Sequence, residues 1–134
     1  MLNLLMGNNN SINSIKKINF EHMQRVINDN ENIIINTLDD NEQDCLIEGT
    51  TNSQSEVTLL NKCLNTMKTQ HIIVYGKNNN DEKIFIKHKQ LINLGFTNIS
   101  IYIGGLFEWM LLQEVYGELA FPTTSSELDI LRYK

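Results

Sequence analysis

The segment at residues 71–83, HIIVYGKNNNDEK, has the layout in which many α/β enzymes hold a catalytic or phosphate-binding loop. Four apolar residues, Ile72–Tyr75, predict a buried strand, and a helical pattern begins after the polar residues that follow it. The loop between this strand and this helix is therefore the first candidate site of the chain. It consists of Gly76, Lys77, Asn78, Asn79, Asn80, Asp81, Glu82 and Lys83.

The side chains of this loop are unfavourable for binding an external anion. Asp81 and Glu82 lie at the predicted helix start, where acids interact favourably with the helix dipole but repel an external anion such as phosphate. Asn80 is the predicted N-cap of the helix. The three consecutive asparagines fit either a recognition loop or a solvated turn, because asparagine tolerates left-handed and capping conformations.

Two cysteines, Cys45 and Cys63, are the thiol nucleophiles that the chain offers. Acidic residues flank Cys45 at positions 42, 44 and 48, and their charges would raise its pKa and leave mostly the thiol at neutral pH. We expect Cys45 to be a partly buried structural residue, with a catalytic role as the alternative. Cys63 falls within an apolar helical stripe, which predicts a core thiol.

We expect neither a metal nor a cofactor. The two cysteines lack a C-x-x-C spacing, and His22, His71 and His88 show neither metal-ligand nor nucleophile–base spacing. Each histidine is therefore expected to be structural.

Length and charge exclude several classes of function. The 134 residues suffice for one domain with a single core. A formal net charge of -5 argues against DNA or RNA binding, which requires clustered Lys and Arg. No run approaches the roughly 18 apolar residues of a membrane span. We therefore expect a soluble, cytoplasmic protein with reduced cysteines, whose partner is another protein.

The N-terminal residues, from 1 to about 17, are rich in Asn and Ser and predict a flexible arm ahead of a domain at residues 18–134. Within the arm, MGNNNS at residues 6–11 fits the N-myristoylation pattern with Gly7 as the acceptor, provided that translation began at Met6. A chance match is the alternative. An acyl chain on Gly7 would give only weak membrane association, since Lys16 and Lys17 supply little second signal.

Apolar periodicity predicts alternating helices and strands in the rest of the chain. Strands are predicted at residues 33–35, 72–75 and 99–103, and helices at residues 20–28, 56–68, from about 81 to 94, and 106–116. Ser53 and Glu56 predict a capping box for the second helix. Gly95 should end the third helix in the left-handed conformation, with Phe96 packed on its last turn. From about residue 117, a C-terminal extension should pack across the outside.

Residues 91–109 resemble the C-terminal half of a rhodanese-like domain. The matching positions have the spacing of that family and are Leu91, Gly95, Phe96, Asn98, Ile99, Gly104, Gly105 and Trp109. Weaker similarity extends back to about residue 18. The resemblance implies an α/β fold with a parallel sheet of about five strands and helices on both faces. It also implies that Gly104 and Gly105 form the turn after the last core strand and that Trp109 packs on the following helix.

The resemblance places Gly76 where the family has its sulfur-carrying cysteine, because Val74-Tyr75-Gly76 corresponds to Val-Tyr-Cys. Glycine has no side chain to carry sulfur. The resemblance therefore favours a catalytically inactive binding or regulatory module, with residues 76–83 and Gly104-Gly105 as its contact surface. The alternative is a divergent sulfurtransferase that uses Cys45.

Overall fold

In the computed structural model, which describes residues 15–134, parallel strands form a sheet that is covered by helices on both faces. The strand order in this part of the chain is β1-β5-β4-β2-β3, and every neighbouring pair is parallel. The predicted α/β fold with a parallel sheet of about five strands is therefore confirmed. The strands are β1 (Lys16–Ile18), β2 (Ile33–Asn36), β3 (Thr50–Thr51), β4 (Ile72–Tyr75) and β5 (Ile99–Tyr102).

The described residues also form four α-helices and two short 3-10 helices, and the last of each kind follows β5. The 3-10 helices lie at Asp40–Glu42 and Ile130–Tyr133. The α-helices are α1 (Phe20–Ile27), α2 (Ser53–Thr66), α3 (Lys83–Leu94) and α4 (Gly105–Tyr116).

The predicted arm at residues 1–17 was wrong at its C-terminal boundary. Lys16 and Lys17 belong to β1, where they pair with Ser100 and Ile101 of β5. Two polar residues at the start of an edge strand give no apolar run, so the pattern resembled a continuation of the arm. The rest of the arm, including Gly7, lies outside the described residues.

The three central strands have every residue buried, because helices cover both faces of the sheet. Successive side chains point to opposite faces and build two apolar clusters. One cluster joins Ile34, Ile73, Tyr75 and Tyr102 to α1 and α4, and the other joins Ile35, Ile72, Val74 and Ile101 to α2 and α3. The rigid sheet holds the loops at the carboxyl ends of its strands in fixed positions.

Helix α2 begins earlier than predicted and uses a different cap. The side chain of Asn52, rather than that of Ser53, accepts the N–H of Gln54 at 2.9 Å. Glu56, the predicted partner in the capping box, binds the Lys87 ammonium at 2.7 Å instead. The capping-box prediction was wrong because an acid at this position has a cationic partner on the neighbouring helix.

Helix α3 ends as predicted. Gly95 has φ +110° in the left-handed region, and its N–H donates to the carbonyl of Ile92 at 3.0 Å. The N–H of Phe96 donates to the carbonyl of Leu91 at 3.1 Å, and the Phe96 ring is buried. This arrangement is a glycine-terminated helix end with a hydrophobic contact.

At the amino ends of the central strands, His71 connects β4 to β2 and β5 through its imidazole ring. Nδ1 lies 3.0 Å from Asn32 Oδ1, and Nε2 lies 2.8 Å from the hydroxyl of the buried Ser100. A carbonyl oxygen only accepts, so Nδ1 carries the proton and Nε2 accepts from the serine. Partial burial, and then the charges of Lys16 and His22, lower the pKa of His71 below its ordinary value of 6.5.

Acidification should destabilise the protein through its histidines. Burial also lowers the pKa of His88, and burial with the charge of Arg25 lowers that of His22. The unfolded chain therefore binds protons more readily than the folded one as the pH falls through about 6.5. We expect urea unfolding to give a lower free energy of unfolding at pH 5.5 than at pH 7.5, and His71→Gln to reduce this difference. Equal stabilities at the two pH values would contradict the lowered pKa values.

Candidate functional site

The loop at residues 76–83 leaves the carboxyl end of β4 and is held between two other elements. On one side, the N–H of Thr37, which follows β2, donates to the carbonyl of Tyr75 at 3.0 Å. On the other side, the first turn of α4 donates to the loop, from Leu106 N to Gly76 O and from Phe107 N to Lys77 O, each at 2.9 Å. The backbone of the loop start is therefore fixed.

The carboxylate of Asp81 turns inward and binds three donors around the loop. Its Oδ2 accepts the N–H of Lys77 and the hydroxyl of Thr37, each at 3.0 Å. Its Oδ1 accepts the N–H of Lys83 at 3.0 Å. A Cβ built on Gly76 would lie only 2.5 Å from Asp81 Oδ2. The carboxylate therefore occupies the space beside Gly76 into which a side chain at that position would extend.

This geometry bears on two predictions about the loop. The acids were expected to repel an external anion, and this stays a prediction; the backbone N–H groups that converge here donate to the carboxylate of Asp81. Asn80 was expected to cap α3, but the helix begins at Lys83, and the N–H of Asn80 donates to Asn78 Oδ1 at 2.9 Å. Asp81 takes the capping role because its carboxylate reaches the N–H two residues ahead.

Gly104 lies in the turn between β5 and α4, Gly105 is the first residue of α4, and each permits a close approach. A Cβ on Gly105 would lie 2.8 Å from the carbonyl oxygen of Gly76, and Gly105 has φ +70°. A Cβ on Gly104 would overlap the carboxylate of Glu108, which accepts the Tyr102 hydroxyl at 2.8 Å. The glycine at 105 is thus required by the backbone of the candidate loop.

Both lysines of the loop are paired with acids from the segment after β2. Lys77 Nζ lies 3.1 Å from Glu42, and Lys83 Nζ lies 3.0 Å from Asp39. The hydrogen bond and the charge of Lys83 lower the pKa of Asp39, and the same bond raises the pKa of Lys83. The part of the loop that faces solvent consists of Asn79, Asn80, Glu82 and Lys83.

A cleft of about 350 Å³ opens beside the loop, between the first turns of α2 and α3. Thr37 lines it together with Glu56 and Lys87, whose side chains form the 2.7 Å ion pair. The charges that line the cleft are thus largely neutralised within the protein, and the cleft offers a mixed polar and apolar surface next to the loop.

Cys45 is more deeply buried than the sequence suggested. It is 1% exposed, and its sulfur donates to the carbonyl of Ser125 at 3.4 Å. The thiol of Cys45 therefore lacks the solvent access that a nucleophile needs.

Trp109 is also fully buried, donates from Nε1 to Pro122 O at 3.0 Å, and packs edge-on against Tyr102 and Phe121.

Two contributors to this region were missed from the sequence, namely Thr37 and Tyr133. Thr37 binds Asp81 from a neighbouring strand end, and the carbonyl of Tyr133 accepts the side-chain N–H of Asn78 at 2.9 Å. Neither contact is local in the chain, so no spacing pattern indicates it. For Asp81 itself the sequence did offer a signal. Aspartate is a favoured capping residue, and Asp81 lies two residues before the start of α3.

Within residues 15–134, no group of three or more His, Cys, Asp or Glu side chains is arranged to hold a metal ion. In the same part of the chain, no helix combines the length and the apolar character that crossing a membrane requires.

Comparison with known proteins identifies one family. Residues 16–112 match the model of the rhodanese-like domain. No match is found among curated proteins. Among solved structures, thiosulfate sulfurtransferase from Pseudomonas aeruginosa is similar, with a TM-score of 0.59 at 17% identity over 76% of this chain. The chain spans only 20% of that structure's length. The Alr3790 protein from Anabaena sp. gives a TM-score of 0.56 at 20% identity over 86% of both chains. At identities this low, the TM-scores show a shared fold alone.

The close approach at Gly105 should make it the most sensitive glycine of the site. Gly105→Ala adds a methyl group within 2.8 Å of a backbone oxygen at a positive φ, and we expect it to cost roughly 3–5 kcal/mol of unfolding free energy. Gly95→Ala is the matched control, because its φ is also positive but its nearest neighbour is a lysine side chain at 3.8 Å. Gly95→Ala should lower the free energy of unfolding, measured with urea, by only about 1–2 kcal/mol. Equal losses of unfolding free energy in the two variants would contradict the argument that the carbonyl oxygen of Gly76 excludes a Cβ at Gly105.

Removing the carboxylate of Asp81 should loosen the loop. Asp81→Ala leaves the N–H groups of Lys77 and Lys83 and the Thr37 hydroxyl without their acceptor, so we expect a loss of about 1–3 kcal/mol. Glu82→Ala, an exposed acid whose side chain makes no cap hydrogen bond, should change stability by less than about 0.5 kcal/mol. If the two variants unfold at the same urea concentration, Asp81 does not organise the loop.

Proposed function

The chain belongs to the rhodanese-like domain family, and from this premise we propose that it is a catalytically inactive member that acts as a protein-binding or regulatory module. The observation that carries the proposal is the inward carboxylate of Asp81 beside Gly76. This carboxylate takes up the backbone donors that an external anion would need, at the position where the resemblance puts the nucleophile.

Sulfur transfer from thiosulfate requires a thiolate that attacks the outer sulfur. The S–S bond then breaks, sulfite leaves, and a persulfide remains on the enzyme. Such a thiolate is stabilised by nearby N–H groups and by a helix N-terminus. In this chain Gly76 offers no side chain, and the N–H groups of Lys77 and Lys83 already donate to Asp81. The proposal therefore rests on two separate deficits, one in the nucleophile and one in the surroundings that would activate it.

The burial of Cys45 argues against its use as a substitute nucleophile. Its exposed fraction is 1%, and its S–H is engaged by the carbonyl of Ser125. Thiosulfate is a dianion and would have to enter an apolar cluster that contains Tyr75 and Tyr133. The divergent sulfurtransferase that uses Cys45 is thus the weaker alternative.

A rigid loop with an exposed polar tip is suited to protein recognition. The loop start is fixed by the α4 donors and by Asp81, while Asn79 and Asn80 remain exposed. Binding residues are often found on loops that a rigid scaffold positions, because little conformational entropy is then lost on association. We therefore assign Asn79 and Asn80 as the centre of the contact surface, and we expect the protein to work in the cytoplasm.

The inactive assignment is tested by intact mass after incubation with thiosulfate alone. We expect no adduct of about 32 Da, because a persulfide needs an accessible thiolate. Cyanide is added only afterwards, since it would remove the transferred sulfur. An adduct that maps to Cys45, disappears with cyanide and is absent from Cys45→Ser would overturn the proposal.

The binding assignment is tested by affinity capture from the source cells with quantitative mass spectrometry. The double variant Asn79→Ala/Asn80→Ala should capture at least one protein in an amount about tenfold or more below that captured by the wild type. The reason is that an interface commonly depends on a few central residues. Asn61→Ala/Asn65→Ala is the matched control, with two exposed asparagines on α2. Identical captured sets for wild type and the loop variant would show that the loop tip is not the contact surface.

A further inference from the structure

The C-terminal residues, 126–134, are attached to the domain through the buried ring of Tyr133 and the partly buried side chain of Ile130. Tyr133 is fully buried in the same cluster as Cys45, whereas Leu128 and Leu131 are 93% and 64% exposed. The backbone N–H groups of Arg132 and Lys134 bind carbonyls of the segment itself. A segment with one fully buried anchor among half-buried and exposed residues is typical of a docked peptide.

The preceding residues are fastened much more firmly. The N–H of Thr124 donates to the carbonyl of Leu46 at 2.8 Å, and the N–H of Leu46 donates to the Thr124 hydroxyl at 3.0 Å. The N–H of Glu48 donates to the carbonyl of Pro122 at 3.1 Å. Release of the last residues therefore need not disturb the chain before Ser125.

The hydroxyl of Tyr133 fits its pocket poorly. The oxygen is buried and has no hydrogen-bond partner among residues 15–134. Burial, followed by the neighbouring Cys45 thiol, raises the pKa of Tyr133 to about 12. An unpaired buried hydroxyl costs free energy of the same order as the gain from burying the ring. The unpaired hydroxyl therefore offsets part of the free energy that burying the ring gains, which makes release of the segment easier.

The position of the ring connects it to the candidate loop. The carbonyl of Tyr133 accepts the side-chain N–H of Asn78 at 2.9 Å, so the segment covers one side of the loop at residues 76–83. A ligand that presents an aromatic side chain and a backbone carbonyl in the same arrangement would satisfy both contacts. Phenylalanine would suit the pocket better than tyrosine, because it brings no hydroxyl to desolvate.

We propose that residues 126–134, named here the C-terminal plug, close in cis a pocket that receives a phenylalanine side chain from a partner peptide. The proposal rests on the binding role proposed for the loop and adds to it the chemistry of the ligand and its regulation. Displacement of the plug frees the Asn78 amide and uncovers the pocket beside Cys45. The intact chain binds such a peptide more weakly than a chain whose plug is released.

The first test measures cysteine alkylation by N-ethylmaleimide in the full chain, resolved by peptide mapping. Cys45 reports on the plug, and Cys63, buried on the opposite face of the sheet, reports on global unfolding. We expect Tyr133→Ala to raise the Cys45/Cys63 rate ratio on the order of tenfold. Tyr133→Phe should lower it below the wild-type ratio. An unchanged ratio in Tyr133→Ala, or a raised ratio in Tyr133→Phe, overturns the proposal.

The second test supplies the plug in trans to the full-length Tyr133→Ala protein. Synthetic peptides of residues 127–134 carry the native sequence, Tyr133→Phe or Tyr133→Ala. We expect saturable protection of Cys45 that is strongest with the Tyr133→Phe peptide, weaker with the native one and absent with the Tyr133→Ala one. No protection by the Tyr133→Phe peptide, or stronger protection by the native one, overturns the proposal. Because no partner protein is present, this outcome is independent of the loop-tip capture experiment.

Discussion

The carboxylate of Asp81 is the interaction on which the rest of the site depends. It gathers the N–H of Lys77, the N–H of Lys83 and the hydroxyl of Thr37 around one charge. That single group binds the backbone at the start of the loop and at the start of α3, and it joins the loop to Thr37 at the end of β2. All three donors are thus satisfied within the protein, without any bound ligand.

This arrangement requires glycine at two positions. Asp81 leaves no space for a side chain at Gly76, and the carbonyl of Gly76 in turn lies too near Gly105 to allow a Cβ there. The first donors of α4 are consequently directed at the loop backbone instead of at solvent or substrate. The helix N-terminus and the loop N–H groups, which can activate an anionic nucleophile, are here satisfied within the protein. This internal satisfaction is the physical reason for proposing a binding role in place of sulfur transfer.

The parts of the fold that were predicted correctly are those with local signals. Strand β4 was evident from four consecutive apolar residues, and the end of α3 followed from Gly95 and Phe96. Strands β1 and β3 have three and two residues, and they exist because a neighbouring strand offers partners, which no local pattern shows. The inward turn of Asp81 was missed for a related reason. Its charge suggested repulsion of anions, and only the folded geometry shows that the carboxylate turns inward and accepts the N–H groups of Lys77 and Lys83.

The central claim is that Asp81 fills the position of a sulfur-carrying side chain, and the most direct measurement rebuilds that side chain. Gly76→Cys and Gly76→Cys/Asp81→Gly are incubated with thiosulfate, and the adduct of about 32 Da on the introduced cysteine is followed by intact mass. The account predicts that the double variant accumulates the persulfide at least about tenfold faster, because the cysteine then has both space and free N–H donors. Equal accumulation in the two variants would contradict it.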